Sequence, residues 1–447
     1  MKSINLRCQL LFLAFACGLQ ISALHAQTYW TNHAGGQTID EGMDVAVDAA
    51  GNTYTTGYFT TSAAFGSLSV GAAGIDDVFL CKQGVNGQYI WAVSAGGLSS
   101  DRALSIKADA AGNTYITGYF FGTATFGSQT ITSAGQQDIF VAKYNNAGTC
   151  LWAVSAGGSG SDIGNGVAVD PNGNVVITGE FAGTSSFGST SLTSMNGSVD
   201  VFTAKLNSSG TFQWAKKGSA WQTDRGLDVD CDGSGNVYVT GQFSDTITFD
   251  QVHLNTMYDA SGNEQWFRKI GGGAMNIANS IFIDAANGIY LTGDFQGTIT
   301  FFGPSNTSLS GTYANCIFIA KYDTQGSLTW SVSESSDSPV TSRAVSANGN
   351  NLVIAGNFKC TFDSYSDRYA SGLFNSSGYW DVFTARYNSG TGAWSIARQY
   401  GGSQDQICNG VAADAAGNPH IAGSYLKDFI TPVSNDFYGY ASFAAYS

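Results

Sequence analysis

The sequence predicts an all-β chain built from seven similar units of four short strands each. Three series of residues predict it. A tryptophan recurs at Trp30, Trp91, Trp152, Trp214, Trp266, Trp330 and Trp394, at spacings of 61, 61, 62, 52, 64 and 64. A glycine ending a β-rich run recurs at Gly57, Gly118, Gly179, Gly241, Gly293, Gly356 and Gly423. An aromatic follows each by two residues: Phe59, Phe120, Phe181, Phe243, Phe295, Phe358 and Tyr425. Four short strands in a long repeat are the pattern of a β-propeller blade. The expected fold is therefore a seven-bladed β-propeller.

Composition agrees. The 447 residues include 57 glycines and 5 prolines, with 13% aromatic and 12% charged residues. Strand-forming aromatics with abundant glycine suit short strands and tight turns. Disorder needs few aromatics and high charge, and is excluded. Length alone suggests two or three domains, but a ring of repeats grows as one domain.

Residues 1–26 read as a signal peptide. Lys2 and Arg7 precede an apolar run from Leu10 to Leu19, and Ser22 to Ala26 offers cleavage before Gln27. The run is too short for a membrane span. Lipid attachment at Cys17 is disfavoured by the poor lipobox Ala14-Phe15-Ala16. The expectation is an exported protein, extracellular or periplasmic.

Next comes a spare strand, Thr28 to Asn32, carrying the first repeat tryptophan. The second unit shows the full layout. Ala103 to Asp109 is a strand, Ala110 to Asn113 a turn, and Thr114 to Phe120 a strand. A loop holds Thr125-Phe126-Gly127; Asp138 to Tyr144 and Cys150 to Ser155 are the remaining strands. Glycine supplies positive φ in the turns, and Asn and Asp tolerate it. The fourth unit lacks an Asp-x-Phe stretch, so its third strand is either missing or reduced to Gln251–Met257. The last unit has three strands and lacks the tryptophan-bearing fourth. Pairing it with the spare N-terminal strand would close the ring and satisfy two open edges. The expected blades are 36–96, 97–157, 158–218, 219–271, 272–334, 335–400, and 401–447 plus 27–35.

The Asp-x-x-Gly-Asn turn occurs at Asp48, Asp109, Asp170, Asp232 and Asp414, and an Asp-(Val/Ile)-Phe third strand at Asp77, Asp138, Asp200 and Asp381. With the Thr-Gly-x-Phe end of the second strand, these resemble the bacterial SBBP β-propeller repeat family. The resemblance covers nearly all of residues 27–447. It implies architecture, and little about activity, because propellers host many functions.

Two faces follow. The Asp-x-x-Gly-Asn and Tyr-Asn-x-x-Gly turns share one face. The second-to-third connections and the links between units share the other, and they vary. Variable loops on a rigid scaffold are where binding sits, so the loop face is the expected working surface. There Asp40, Asp101, Asp162 and Asp224, eight residues before a turn aspartate, form an expected ring at the channel mouth. They read either as a polar-ligand site or as carboxylates capping backbone N–H groups. Glu180 and Asp294 follow repeat glycines and are candidate ligand contacts. Trp221, Trp380, Tyr365 and Arg368 are candidate aromatic and polar anchors for a sugar or protein. Lys82, Lys143, Lys205, Lys321 and Arg386 read as ion-pairing residues between blades.

The net charge of −14 opposes nucleic acid and anionic membranes. Six cysteines remain after the leader, without metal-type spacing, and read as small buried hydrophobes. No cofactor or metal is expected: Asp228-x-Asp230-x-Asp232-Gly233 resembles a calcium loop, but Val239 stands where a glutamate is needed. No catalytic constellation is visible. The expectation is a monomeric, non-catalytic binding or scaffold module for a glycan or protein. The alternatives are a carboxylate hydrolase or lyase at the channel mouth, and a structural cell-surface component.

Overall fold

The computed structural model describes residues 30–36, 39–218, 223–244, 251–272, 276–311, 315–336, 338–363, 373–402, 404–426, 429–430 and 440–446. The fold is all-β. One 3₁₀ turn, Met195–Gly197, is the only helical element among the described residues.

Each unit runs inner, second, third and outer strand, joined antiparallel in that order. Unit one is Asp40–Val47, Thr53–Phe59, Asp77–Gln83 and Tyr89–Gly97. Unit two is Arg102–Ala108, Thr114–Phe126, Gln129–Tyr144 and Cys150–Gly158. Unit three is Ile163–Val169, Val175–Ala182, Val199–Leu206 and Phe212–Gly218. Unit four is Arg225–Cys231, Val237–Ser244, Gln251–Tyr258 and Glu264–Gly272, so the degenerate stretch does form a third strand. Unit five is Asn276–Ile283, Ile289–Phe295, Asn315–Tyr322 and Leu328–Ser336. Unit six is Val340–Asn348, Asn351–Asp363, Leu373–Asn388 and Trp394–Gly402.

The last sheet joins the two ends of the chain. Its order is Gln406–Ala413, Pro419–Leu426, Tyr440–Tyr446 and Thr31–Gly35. His33 lies opposite Phe443. Tyr440–Tyr446 runs parallel to both neighbours, whereas third strands elsewhere are antiparallel. Its register is still that of the repeat: Gly423 faces Phe443 as Gly57 faces Phe79 and Gly118 faces Phe140.

The turns form for a local reason. Asp48 accepts the N–H groups of Ala50 and Asn52 on one oxygen and the Asn52 amide on the other, around Gly51 at φ 82°. The same contacts recur at Asp109, Asp170, Asp232 and Asp414. Such side-chain caps replace backbone partners in a tight turn. Unit five swaps the last two residues, so Asn287 takes the positive φ. Tyr54, Tyr115, Tyr238 and Tyr290 each donate their hydroxyl to the turn aspartate. His420 replaces tyrosine in the last unit, buried, with Nδ1 2.8 Å from Thr53 Oγ1 of unit one.

The second-to-third connections, expected as variable loops, are mostly β-hairpins. Their first strands pair with the outer strand of the preceding unit: Phe65 with Ala34, Thr125 with Gly96, Ser186 with Gly157, Phe301 with Ile270. Phe65, Phe126, Phe187 and Phe301 are buried there. Each such ring contributes roughly 2–3 kcal/mol of burial, and the pairing covers an outer edge. The core lies between successive sheets. Tyr54, Val78 and Leu80 of unit one, for instance, cluster with Ile116, Phe120 and Phe140 of unit two.

Candidate functional site

The inner strands set the geometry. Each carries a β-bulge, at Met43, Leu104, Asn165, Leu227, Asn279, Arg343 and Asn409, where the register shifts by one. Bulges re-aim side chains. Three bulge asparagines reach the next unit: Asn165 to the Gly226 carbonyl, Asn279 to Ser342, and Asn409 to Gly42.

Inner strands of every unit line a cavity of about 160 Å³. Asp44 and Asp228, both half-buried, are its acids. Asp44 accepts N–H groups from Val45 and Ile106 and the Ser105 hydroxyl. Asp228 does the same with Val229, Ile281 and Ser280. Each therefore ties its unit to the next. Burial pushes Asp44 up to about 7, against its hydrogen bonds and with help from the Asp228 charge. Burial pushes Asp228 up to about 6. Sequence reasoning missed the Asp44 role and read Asp228 only as a calcium-loop member. A signal was present: four residues before the turn aspartate, or before Asn348 in unit six, other units carry Ser105, Gly166, Ser280, Ala344 and Gly410, and only these two an acid.

Lys107 of unit two reaches Asp230 of unit four at 2.9 Å and lies 5.6 Å from the Phe282 ring of unit five. Below it a hollow of about 610 Å³ is lined by the turns at Asp109, Asp170, Asp232 and Asp284. The turn aspartates are already engaged by their own Asx caps, and the described residues hold no cluster of three or more metal-ligating side chains.

The expected channel-mouth ring stands elsewhere. Asp40, Asp101, Asp162 and Asp224 are buried and absent from the cavity lining. Asp101 accepts N–H groups from Gly97, at the end of unit one, and Phe121 of its own unit. Asp162 accepts those of Gly158 and Ala182 and the Ser185 hydroxyl. Asp40 holds Gly36 and Thr60. These carboxylates hold the joints between units. Desolvation pushes Asp40 and Asp101 up to about 6.

The post-glycine residues also join units. Glu180 is paired with Arg225 of unit four at 2.5 Å. Asp294 accepts the N–H of Ser342 in unit six at 2.7 Å. The structure thus sets the two in separate joints. Lys205 pairs with Asp170 of its own unit at 2.9 Å and donates to the Gly235 carbonyl of the next. Trp380 lies in a third strand, opposite Lys359, and its backbone N–H donates to the Asp405 carboxylate. Trp221, Tyr365 and Arg368 lie outside the described residues. Cys81, Cys150, Cys231 and Cys408 are free thiols, and Cys316 is buried.

The loop face exposes several apolar side chains. Leu98 is 85% exposed and Ile75 68%, adjoining through the Ile75 N–H to Ser99 carbonyl bond. Ile39 and Tyr379 are also exposed there. Beside Ile75, Arg102 pairs with Asp76 at 2.6 Å and stacks 3.9 Å from the Tyr58 ring. No helix among the described residues is long and apolar enough to cross a membrane.

No family model matches the chain. An uncharacterized WD repeat-containing protein of Acanthamoeba polyphaga mimivirus is 23% identical, over 90% of this chain and 36% of that protein. The chain thus spans about a third of that relative's length. A crystal structure of Sqt1 from Chaetomium thermophilum aligns at 10% identity and a TM-score of 0.44, over 89% of this chain and 97% of that one. The antiparallel sheets and the WD-repeat relative are consistent with a β-propeller repeat protein.

Proposed function

We propose that this chain is an exported, non-catalytic scaffold: a seven-bladed, SBBP-type β-propeller that binds a protein partner on its loop face. The seven units are its blades, and Thr31–Gly35 closes the ring by completing the last. Contacts made across the seam support closure. Asn409 bonds Gly42 in the manner of Asn165 with Gly226, and Trp30 donates to Val85 as Trp91 does to Asn146. A WD-repeat relative supports protein binding over catalysis.

The observation that carries the binding reading is the exposed pair Ile75 and Leu98 beside the Arg102–Asp76 ion pair. Apolar surface rimmed by polar groups marks interaction sites. A glycan partner is the narrower alternative, and it rests on the aromatic residues Trp221 and Trp380. The test compares wild type with Leu98→Ser/Ile75→Ser and with Trp221→Ala/Trp380→Ala, in quantitative pull-downs and on a glycan array. The reading expects a partner lost with the first pair and kept with the second. The reverse, with a glycan bound by wild type, overturns it.

A further inference from the structure

The joint between units one and two holds a buried lysine against a carboxamide. Lys82, in the third strand of unit one, donates its Nζ to Oδ1 of Asn146, in the third-to-outer turn of unit two. The Asp48 carboxylate stands 4.0 Å from the same nitrogen, and the Lys82 and Asp48 side chains are only 7% and 3% exposed. The Tyr54 hydroxyl donates to Asp48 at 2.9 Å and lies 3.3 Å from Asn146 Oδ1. Asn146 Nδ2 donates to the Ala111 carbonyl at 3.3 Å. The amide lies over Gly112, at φ 77°. A Cβ there would stand 2.9 Å from Asn146 Cγ and 2.8 Å from the Tyr54 hydroxyl, so glycine leaves the room.

The other joints lack this pairing. The turn residue whose carbonyl accepts the preceding unit's tryptophan N–H is Asn146 here, and Val85, Ser208, Ala260, Thr324 or Ser389 elsewhere. Lys205 and Lys321 donate to backbone carbonyls, of Gly235 and Ser389. A nucleophile, an acyl group, a proton acceptor and a hydroxyl on the acyl oxygen thus meet only at the first joint among the described residues.

We propose that Lys82 and Asn146 join in an intramolecular isopeptide bond, with Asp48 carrying the protons. Burial pulls the Lys82 ammonium below its usual range, against the Asp48 charge, and a desolvated lysine is an activated nucleophile. Asp48 takes a proton from Nζ, and the amine attacks Asn146 Cγ. The Tyr54 hydroxyl steadies the negative charge that forms on Oδ1. The Nζ–Cγ bond forms and the Cγ–Nδ2 bond breaks. Two protons pass from Nζ to Nδ2, which leaves as ammonium, and Asp48 ends as the carboxylate. Asn146 is open to solvent, which gives the ammonium a way out. No oxidant or second substrate is needed, since fixed proximity supplies the reactants. This inference goes beyond the loop-face reading and does not rest on it.

The test is the intact mass of the purified full chain, denatured and reduced. Wild type should be lighter than its sequence by one ammonia, and trypsin should fail to cut after Lys82. Fragments carrying Lys82 and Asn146 should stay joined. Two variants copy residues that other units carry at these places: Lys82→Arg, as at Arg386, and Asn146→Ser, as at Ser208. Both should keep the full mass. Asp48→Asn keeps a turn cap of the kind Asn145 makes. It should lower the linked fraction of freshly synthesised chain about tenfold or more. Wild type at full mass overturns the proposal. So does an ammonia loss that persists in Lys82→Arg or maps elsewhere, such as to a cyclised Gln27. Equal linkage in wild type and Asp48→Asn overturns it as well.

Discussion

Trp30 covers Gly87, with its indole N–H 3.2 Å from the Val85 carbonyl. The residue near the start of the described chain thereby fastens the outer strand of the last sheet to the first unit. It uses the same contact that fastens Trp91 to the turn at Gly148.

That contact should not tolerate a methyl group. Gly87 sits at φ 81°, and a Cβ would lie 2.4 Å from the Trp30 ring. Left-handed alanine costs about 1–2 kcal/mol and overpacking about 1–3 more. Gly87→Ala should lose about 2–4 kcal/mol in denaturant unfolding. Gly122→Ala, also at positive φ but with nothing within 4 Å, should lose only the backbone part.

Asp170 and Lys205 form a pair at 2.9 Å, with side chains only 1% and 2% exposed. Burial works against the Asp170 charge, but bonds from Asn174 and Lys205 outweigh it and hold its carboxyl below the usual range. A lowered pKa adds stability above the unfolded value that is lost as pH falls through the folded one. Asp170→Ala leaves Lys205 buried and unpaired and should cost about 3–5 kcal/mol at pH 7. Calorimetry across the five turn aspartates should find Asp170 the costliest of them.

The cavity acids impose the opposite slope. Asp44 rises from 3.8 to about 7 on folding. A raised pKa contributes stability that is full below the unfolded value and lost as pH climbs through the folded one. Between pH 4 and pH 8 the Asp44 contribution should fall by up to about 4 kcal/mol. Unfolding free energies measured over that range should decline more steeply for wild type than for Asp44→Asn.

Glu334 offers a cleaner case. It stands against Tyr387 of unit six, whose hydroxyl donates to it at 3.2 Å, while its second oxygen is buried without a partner. Units one and two carry Ala95 and Ala156 at this register. Burial pushes Glu334 up to about 7. Glu334→Gln keeps an acceptor for Tyr387 and removes the charge. It should raise stability at pH 8 by roughly 1–3 kcal/mol and change little at pH 5. Equal effects at both values would count against a buried ionisable group.

Much of the fold was legible because the repeat is written in local chemistry. Asp48 to Asn52 makes its turn from five consecutive residues, so spacing alone revealed it. His420 stands in the place of the repeat tyrosines and is buried as they are. The Phe-Gly connections were harder. Phe65 and Phe126 read as loop residues because the strands that hold them, at Ala34 and Gly96, belong to another unit. The parallel run of Tyr440–Tyr446 was equally hidden, since Phe443 keeps the repeat register in either direction.

The sequence by itself determined the period and the turns, since these depend on neighbours a few bonds away. Only the tertiary structure decided what the acids do. Asp101, Glu180 and Asp294 are polar residues at regular places, and such places suit a ligand as well as a joint. Their partners, Gly97, Arg225 and Ser342, sit on adjoining sheets. A carboxylate takes its role from the donor that faces it, and that donor is fixed only when the sheets pack.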